Sequence, residues 1–302
     1  MIPRPALGIA AITGAAACFA AMDTTTRYLG AFLAVQLMLW VRYAIHTAVM
    51  TLWLAADRSK TFRTAHPGFQ LLRGSLLLCS STLAFYGLQH LPVAEFTAIV
   101  LLTPLLVTLL AGWLLGERVS PLRWALVAGG FIGALIVIRP GSGLFGWAVA
   151  FPLAAAFSNA AFQVMSSRYA AHENPYTTNF YTGLTGTLVM TPFLIASGID
   201  ADAVLLATPP LQLGLLLAIG ALGTAGHLLL VMALGLAPTA TLMPFLYTQV
   251  GFAALVGWLV FRVLPDTWGW LGIGVIAVCG AAGAWLNMRR PVSAVEADTV
   301  AD

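Results

Sequence analysis

Apolar residues run through this chain in ten stretches of about the length that spans bilayer hydrocarbon as a helix. The first five cover 6–28, 32–54, 69–89, 93–116 and 122–138, and the second five cover 144–167, 177–197, 211–234, 239–261 and 268–288. Within them apolar and polar residues do not alternate with the two-residue period of a membrane β-strand, so a barrel is excluded. Gly, Pro and charged residues punctuate the runs. The longest polar connections are 55–68, 168–176 and 198–210, and the chain ends in a polar tail over 291–302. The pattern predicts an all-α integral membrane protein with ten transmembrane helices.

Composition agrees with that reading. Of 302 residues, 60% are hydrophobic and only 8% charged, against roughly 25% charged in a soluble domain. The first run continues to Tyr28 without a small-residue cleavage site, so it reads as a span and not as a removable signal. Cys18, Cys79 and Cys279 all fall inside apolar runs and are expected to be small packing residues. No Cys/His spacing suggests a metal, and no cofactor is expected. The net charge of +3 is dispersed over loops, which argues against nucleic acid as a partner and leaves the bilayer and a small solute.

The ten runs form two copies of one unit. Leu88 to Pro92 and Gly112 to Gly116 are echoed by Leu234 to Pro238 and Gly257 to Phe261, a shift of 146 at Pro92/Pro238. Thr24 to Tyr28 is echoed by Met165 to Tyr169, a shift of 141 at Arg27/Arg168. The units are residues 1–141 and 142–290, followed by a cytoplasmic tail at 291–302. Orientation follows the positive-inside rule. With the N-terminus inside, ten Lys and Arg face inward, including Arg73, and Arg27, Arg139 and Arg262 face outward, while Arg42 lies within a span. Both termini are thus expected in the cytoplasm of a bacterial inner membrane. Five helices is an odd number, so the second copy enters the bilayer from the opposite side. Two inverted five-helix repeats can pack in two nearly equivalent ways around a midplane site, which is the physical basis of alternating access.

Three features resemble the EamA-type branch of the drug/metabolite transporter superfamily. These are Arg42-Tyr43 in the second span, the Pro92…Thr103-Pro104…Leu115-Gly116-Glu117-Arg118 run in the fourth, and Trp124…Gly129-Gly130…Gly133 in the fifth. The second copy departs from the pattern, with Phe261-Arg262 where the first has Gly116-Glu117. The resemblance implies a substrate cavity between the halves, lined by the first, third, fourth, sixth, eighth and ninth helices. It is closest to amino-acid and aromatic amino-acid exporters of the YddG type.

Polar groups inside the membrane are functional candidates because they are costly there. Asn159 and Gln163 are four residues apart, so they share a face of the sixth helix and could meet the ammonium and carboxylate of a zwitterion. They could equally bond neighbouring helices. Ser80, Ser81 and Thr82 lie mid-span and read more readily as helix glue. Tyr86 and Tyr247 each bring a hydroxyl that needs a partner, and Tyr86 offers a ring for an apolar amino-acid side chain. Tyr247 and Gln249 point in different directions. His227 could touch substrate, carry a proton or hold helices together. Pro104 and Pro244 are expected to bend the fourth and ninth helices, as gating bends or as fixed kinks. Gly129, Gly130, Gly133, Gly272, Gly274, Gly280 and Gly283 offer close-packing faces between the halves or between the protomers of a homodimer.

The carboxylates narrow the transport mode. Asp23 and Arg27, at i and i+4, are expected to pair near the outer end of the first helix. Apart from Asp23, no acid sits deep in a span, which points to uniport or exchange and away from a proton-coupled multidrug exporter. Arg42 is expected to pair with a carboxylate or with helix-end carbonyls. A nucleotide-sugar site would need several cavity cations, and only Arg42 is available. No HExxH, GxSxG or paired aspartates mark an intramembrane enzyme. The sequence therefore predicts an exporter of small metabolites, amino acids foremost. Its copies differ in polarity: Cys18 and Met22 align with Asn159 and Gln163, and Ser81 with His227.

Overall fold

A computed structural model describes residues 4–56, 61–114, 121–139, 146–169, 174–236 and 245–288. The first half comprises α1 (Arg4–Leu29), α2 (Val35–Ala56), α3 (Pro67–His90), α4 (Val93–Val100) with α5 (Thr103–Leu114), and α6 (Pro121–Ile138). The second comprises α7 (Ala150–Tyr169) after a 3₁₀ turn at Gly146–Val149, α8 (Pro175–Ala196), α9 (Ala201–Ala207), α10 (Pro210–Leu236), α11 (Thr248–Phe261) and α12 (Thr267–Met288). Helices suit a bilayer because every backbone hydrogen bond closes within the segment. Counting α4–α5 together and setting the short α9 aside, the described elements fall at the ten apolar runs, and five of them are by themselves long and apolar enough to cross a membrane, six if α8 and the bent α9 form one span.

Helix ends follow local chemistry. Pro67 opens α3, where a missing N–H costs nothing. The Asn174 side chain accepts the Tyr176 N–H at 2.9 Å and caps α8. Arg262, at φ 60°, ends α11 in the left-handed conformation usually given to glycine. Thr24 and Thr25 return their hydroxyls to the carbonyls of Ala20 and Ala21, at 2.9 and 2.8 Å, so these polar side chains satisfy themselves within α1.

The halves interlock with a two-fold pattern. Exchanging first-half spans for their second-half counterparts turns the α1–α10 contact into α7–α3, α10–α2 into α3–α8, and α1–α11 into α7–α4/α5. All are formed. The pairs α2–α8, α4–α11 and α6–α12 map onto themselves and flank the pseudo-dyad. At α2–α8, Thr47 and Thr187 share a hydrogen bond of 3.0 Å and Trp40 Nε1 donates to Thr191 at 3.0 Å. At α6–α12 the backbones nearly touch. A Cβ on Gly272 would lie 2.6 Å from the Gly133 carbonyl oxygen, and one on Gly129 2.7 Å from Cys279 Sγ. These glycines therefore pack half against half. Gly274 has nothing within 4 Å of its Cβ position and takes no part in that contact.

Several expectations need correction. The fourth span breaks at Leu101–Leu102, so Pro104 is the second residue of α5 and not a mid-helix bend. Proline tolerates that position because its absent N–H would be unpaired there. Thr103 Oγ1 donates to the Val100 carbonyl at 2.6 Å across the break. Pro244 and Glu117 lie outside the described residues. The connection 198–210 contains α9, capped by Asp200 accepting the Ala203 N–H at 3.0 Å and turned 92° from α8. Arg73, counted among the inward-facing charges, is buried inside α3. Its guanidinium donates to Ser166 at 2.6 Å and to Thr182 at 2.6 Å, tying α3 to α7 and α8. Cys79 is exposed on the outside of α3, while Cys18 and Cys279 are half-buried.

Candidate functional site

A belt of polar side chains crosses the bundle at membrane depth, supplied by both halves. Asp23 lies six residues before the end of α1, roughly 9 Å into the bilayer at 1.5 Å per residue. It is 7% exposed. Its carboxylate Oδ2 accepts the Gln249 Nε2–H of α11 at 3.5 Å, a contact between the two repeats. Asp23 does not pair with Arg27. The Arg27 guanidinium instead donates to the Leu88 carbonyl at 3.3 Å and lies 5.3 Å over the Phe261 ring. Spacing places both side chains on one face, but α11 and α3 offer each a nearer partner.

Arg42 enters the belt from α2, seven residues from its start, and is 5% exposed. Its guanidinium carbon sits 5.0 Å from the Tyr43 ring and 5.6 Å from the fully buried Phe85, so aromatic faces stand in for water around the charge. Its Nε would lie 3.1 Å from a Cβ on Gly223 of α10. Glycine at 223 therefore makes the room that the arginine occupies. Arg42 feels the charge of Asp23, but among the described residues no contact ion pair joins them. The Tyr43 hydroxyl is held to one side by donating to Ser81 at 2.9 Å.

One turn deeper, His46 and His227 stack across the halves with ring centroids 6.3 Å apart. His46 is four residues after Arg42 and His227 four after Gly223, so one face of α2 meets one face of α10. His227 also stands edge-on to Phe19 of α1 at 5.1 Å. Asn179 of α8, 6% exposed, bonds His46. The His46 Nε2 is buried with no partner.

The other residues singled out in the sequence divide into separate places. Gln163 Nε2 donates to Asn159 Oδ1 at 3.3 Å, so the two amides do share a face, and both are half-buried. Ser80 Oγ donates to the Ala155 carbonyl at 3.0 Å, joining α3 to α7. Tyr86 accepts from Gln36 Nε2 at 3.0 Å and stacks on Phe151 at 6.0 Å. Phe151 in turn stacks on His90 at 6.1 Å and meets Trp147 at 5.4 Å, so four rings line the shared end of α3 and α7. Tyr247 packs against Gly280 of α12, with a buried hydroxyl that has no partner. It turns away from Gln249, as their spacing requires. Of the residues named for substrate, His227 alone belongs to the belt. Asp23, Arg42, His46, Asn179 and Gln249 complete it, and the signal that could have found Asn179 and Gln249 was only their polarity inside a span.

An open apolar groove of about 350 Å³ lies on the lateral surface, between Trp40, Val41 and Ala44 of α2, Leu205 of α9, and Leu213 and Leu217 of α10. None of the belt's polar groups lines it. At the end of the bundle near α4, the Arg139 guanidinium makes two bonds to Asp266, at 2.7 and 3.1 Å. The Gly269 N–H, followed by Arg139, holds the Asp266 carboxyl below its ordinary range.

Comparison with known proteins converges on transport. The sequence profile of the EamA-like transporter family matches residues 6–139 and again 146–286. A riboflavin transporter of Brucella anthropi is 27% identical over 283 residues, covering 92% of this chain and 97% of its own. An S-adenosylmethionine uptake transporter of Rickettsia bellii is 27% identical over 247 residues, covering 82% of each chain. A crystal structure covering 95% of this chain and 99% of its own superposes with a TM-score of 0.61 at 20% identity, a likeness of fold.

Proposed function

Because the chain belongs to the EamA-like transporter family, we propose that it carries a small heteroaromatic metabolite of the flavin type across the bacterial inner membrane by alternating access. The observation that carries this reading is the belt itself, a set of polar groups at membrane depth drawn from both repeats, where each switch of packing would move them relative to one another. The relatives named for riboflavin and for S-adenosylmethionine support the substrate class, since both solutes join a planar heteroaromatic ring to a hydroxylated, sugar-derived group. The ladder of Tyr86, Phe151, His90 and Trp147 offers ring faces to such a solute. The amides of Asn159, Gln163, Asn179 and Gln249 are donors and acceptors for its hydroxyls and ring carbonyls. His227, Ser80 and Tyr247 are retained as contacts with substrate, and Pro104 and Pro244 as gating positions.

A second reading is export of an aromatic or other apolar amino acid. Asp23 and Arg42 favour it, because opposite charges in one belt match the ammonium and carboxylate of a zwitterion. In both readings the termini are cytoplasmic, the halves are 1–141 and 142–290, and a homodimer through lipid-facing surfaces is compatible with the fold. Expression in a riboflavin-requiring bacterium at limiting external riboflavin tests the first reading. Rescue of growth supports it. Absent rescue, together with faster efflux of preloaded phenylalanine or tryptophan, replaces it with the second.

A further inference from the structure

We infer that Asp23 is a proton-binding site that couples transport to a proton gradient, with Arg42 as the group that hands its partner from the carboxylate to the substrate; this rests on the transport reading above. The geometry carries it. Asp23 is a buried acid within the first span, and its hydrogen bond to Gln249 crosses from one repeat to the other at the outer limit of such a bond. A contact that long is readily broken when the repeats re-pack. Arg42 is a buried cation wedged on Gly223, surrounded by the Tyr43 and Phe85 rings. An uncompensated buried cation is strongly unfavourable. While Asp23 is ionised, its negative charge answers Arg42.

The step balances simply. A proton from the open side adds to an Asp23 carboxylate oxygen and forms a carboxyl O–H. Arg42 is then left without an anion and takes an electronegative group of the substrate, a ring carbonyl or a carboxylate. Proton and substrate thus enter together, the loaded belt re-packs, and both leave on the other side as Asp23 releases its proton and reclaims Arg42. The transported species is substrate plus one proton. Symport of this kind departs from the uniport that the scarcity of membrane acids suggested, and it does so because Asp23 turns inward to Gln249 and not to Arg27.

Two groups act on the carboxyl directly. From α2 comes Arg42 and from α11 the neutral Gln249, while His46 of α2 and His227 of α10 lie within electrostatic reach of Arg42. Arg73 of α3 lies within electrostatic reach of both imidazoles. Glu95 of α4 faces Arg27, on α1's own last turn. The stacked imidazoles, with the unpartnered His46 Nε2, lie one turn beyond Arg42 on α2.

Two readouts test this in the full-length protein. Infrared difference spectra of the reconstituted protein, taken across a pH titration without substrate, read the carboxyl directly. Wild type is expected to gain a protonated-carboxyl band on acidification that Asp23→Asn lacks, with the same subtraction removing any contribution of Glu95. Identical titrations in the two proteins overturn the proton site. In proteoliposomes with the membrane potential clamped, a gradient of one pH unit, acid outside, supports about tenfold accumulation of riboflavin at one proton per substrate. Asp23→Asn is expected to lose that accumulation, and whatever flux it retains is expected to be independent of the pH gradient. Wild-type flux that ignores the gradient, or concentrative uptake by Asp23→Asn, overturns the coupling. Absence of flux for any solute removes the transport reading, while the infrared titration still decides the proton site.

Discussion

Replacing Gly272 by alanine probes the contact on which the two-fold arrangement rests. The added Cβ would meet the Gly133 carbonyl oxygen at 2.6 Å and the Val137 backbone nitrogen at 2.9 Å. Ordinary contact begins at 3.4 Å, so α12 and α6 must separate by close to an ångström locally. Backbone atoms cannot rotate out of the way as a side-chain tip does. Overpacking of this kind costs about 1–3 kcal/mol. Gly274, two residues on, has nothing within 4 Å and is the internal control. At that exposed helical position, alanine is expected to be neutral or to stabilise by up to about 1 kcal/mol through helix propensity. Thermal unfolding of the purified protein in one detergent, at one protein concentration, ranks the three. Gly272→Ala should melt clearly below wild type and Gly274→Ala at or above it. Equal melting of Gly272→Ala and wild type, or equal loss in both variants, would show that α6 and α12 do not cross where described.

Further outcomes follow from single contacts. Ser80→Ala removes the hydroxyl bridge to the Ala155 carbonyl; a membrane hydrogen bond of this type is worth about 0.6 kcal/mol, so a small loss of melting temperature with unchanged transport marks the residue as helix glue, and a large transport defect with normal stability marks it as a substrate contact. Asn159→Ala and Gln163→Ala, made singly, should each lower flux in folded protein if the amide pair reads the substrate, and normal flux in both assigns the pair to helix packing. Asp266 is exposed, and its carboxyl is held below its ordinary range by the Gly269 N–H and by Arg139. A group whose folded value is depressed stabilises the protein above its unfolded value and loses that contribution as pH falls through the folded one. Stability of wild type should thus drop more than that of Asp266→Asn on acidification below about pH 4; parallel acid limbs in the two proteins would remove the ion pair from the account.

Much of the fold was legible because membrane helices write their length into the sequence. All ten spans fall near the apolar runs, and the duplicated landmarks with odd helix count gave the inversion. What escaped were features set by tertiary contact or too short for a period. Seven-residue α9 left only the Asp200 cap as a sign. The break before Thr103 lies in an unbroken apolar run, where Pro104 was visible but its place in a fresh helix start was not. Arg73 looked like a loop charge because it stands only six residues into α3, yet Ser166 and Thr182, about a hundred residues away in sequence, hold it inside. At the site, local spacing assigned Asp23 to Arg27, whereas its partner Gln249 lies 226 residues away. The polar asymmetry between copies did point to His227, which meets His46 and Phe19 in the belt. Asn159, Gln163 and Tyr86 make their contacts outside the belt, since a helical face can be read from spacing but its neighbour cannot.

The central claim is that two inverted repeats carry a small solute between them through the belt. Counterflow in proteoliposomes tests it most directly: purified protein, vesicles preloaded with unlabelled riboflavin, S-adenosylmethionine, phenylalanine or tryptophan, and the labelled form of the same solute outside. Transient accumulation of label with at least one solute, and its loss in Gly223→Leu, which fills the space Arg42 occupies, is the predicted result. No counterflow with any of them by folded wild-type protein, or undiminished counterflow in Gly223→Leu, would contradict it.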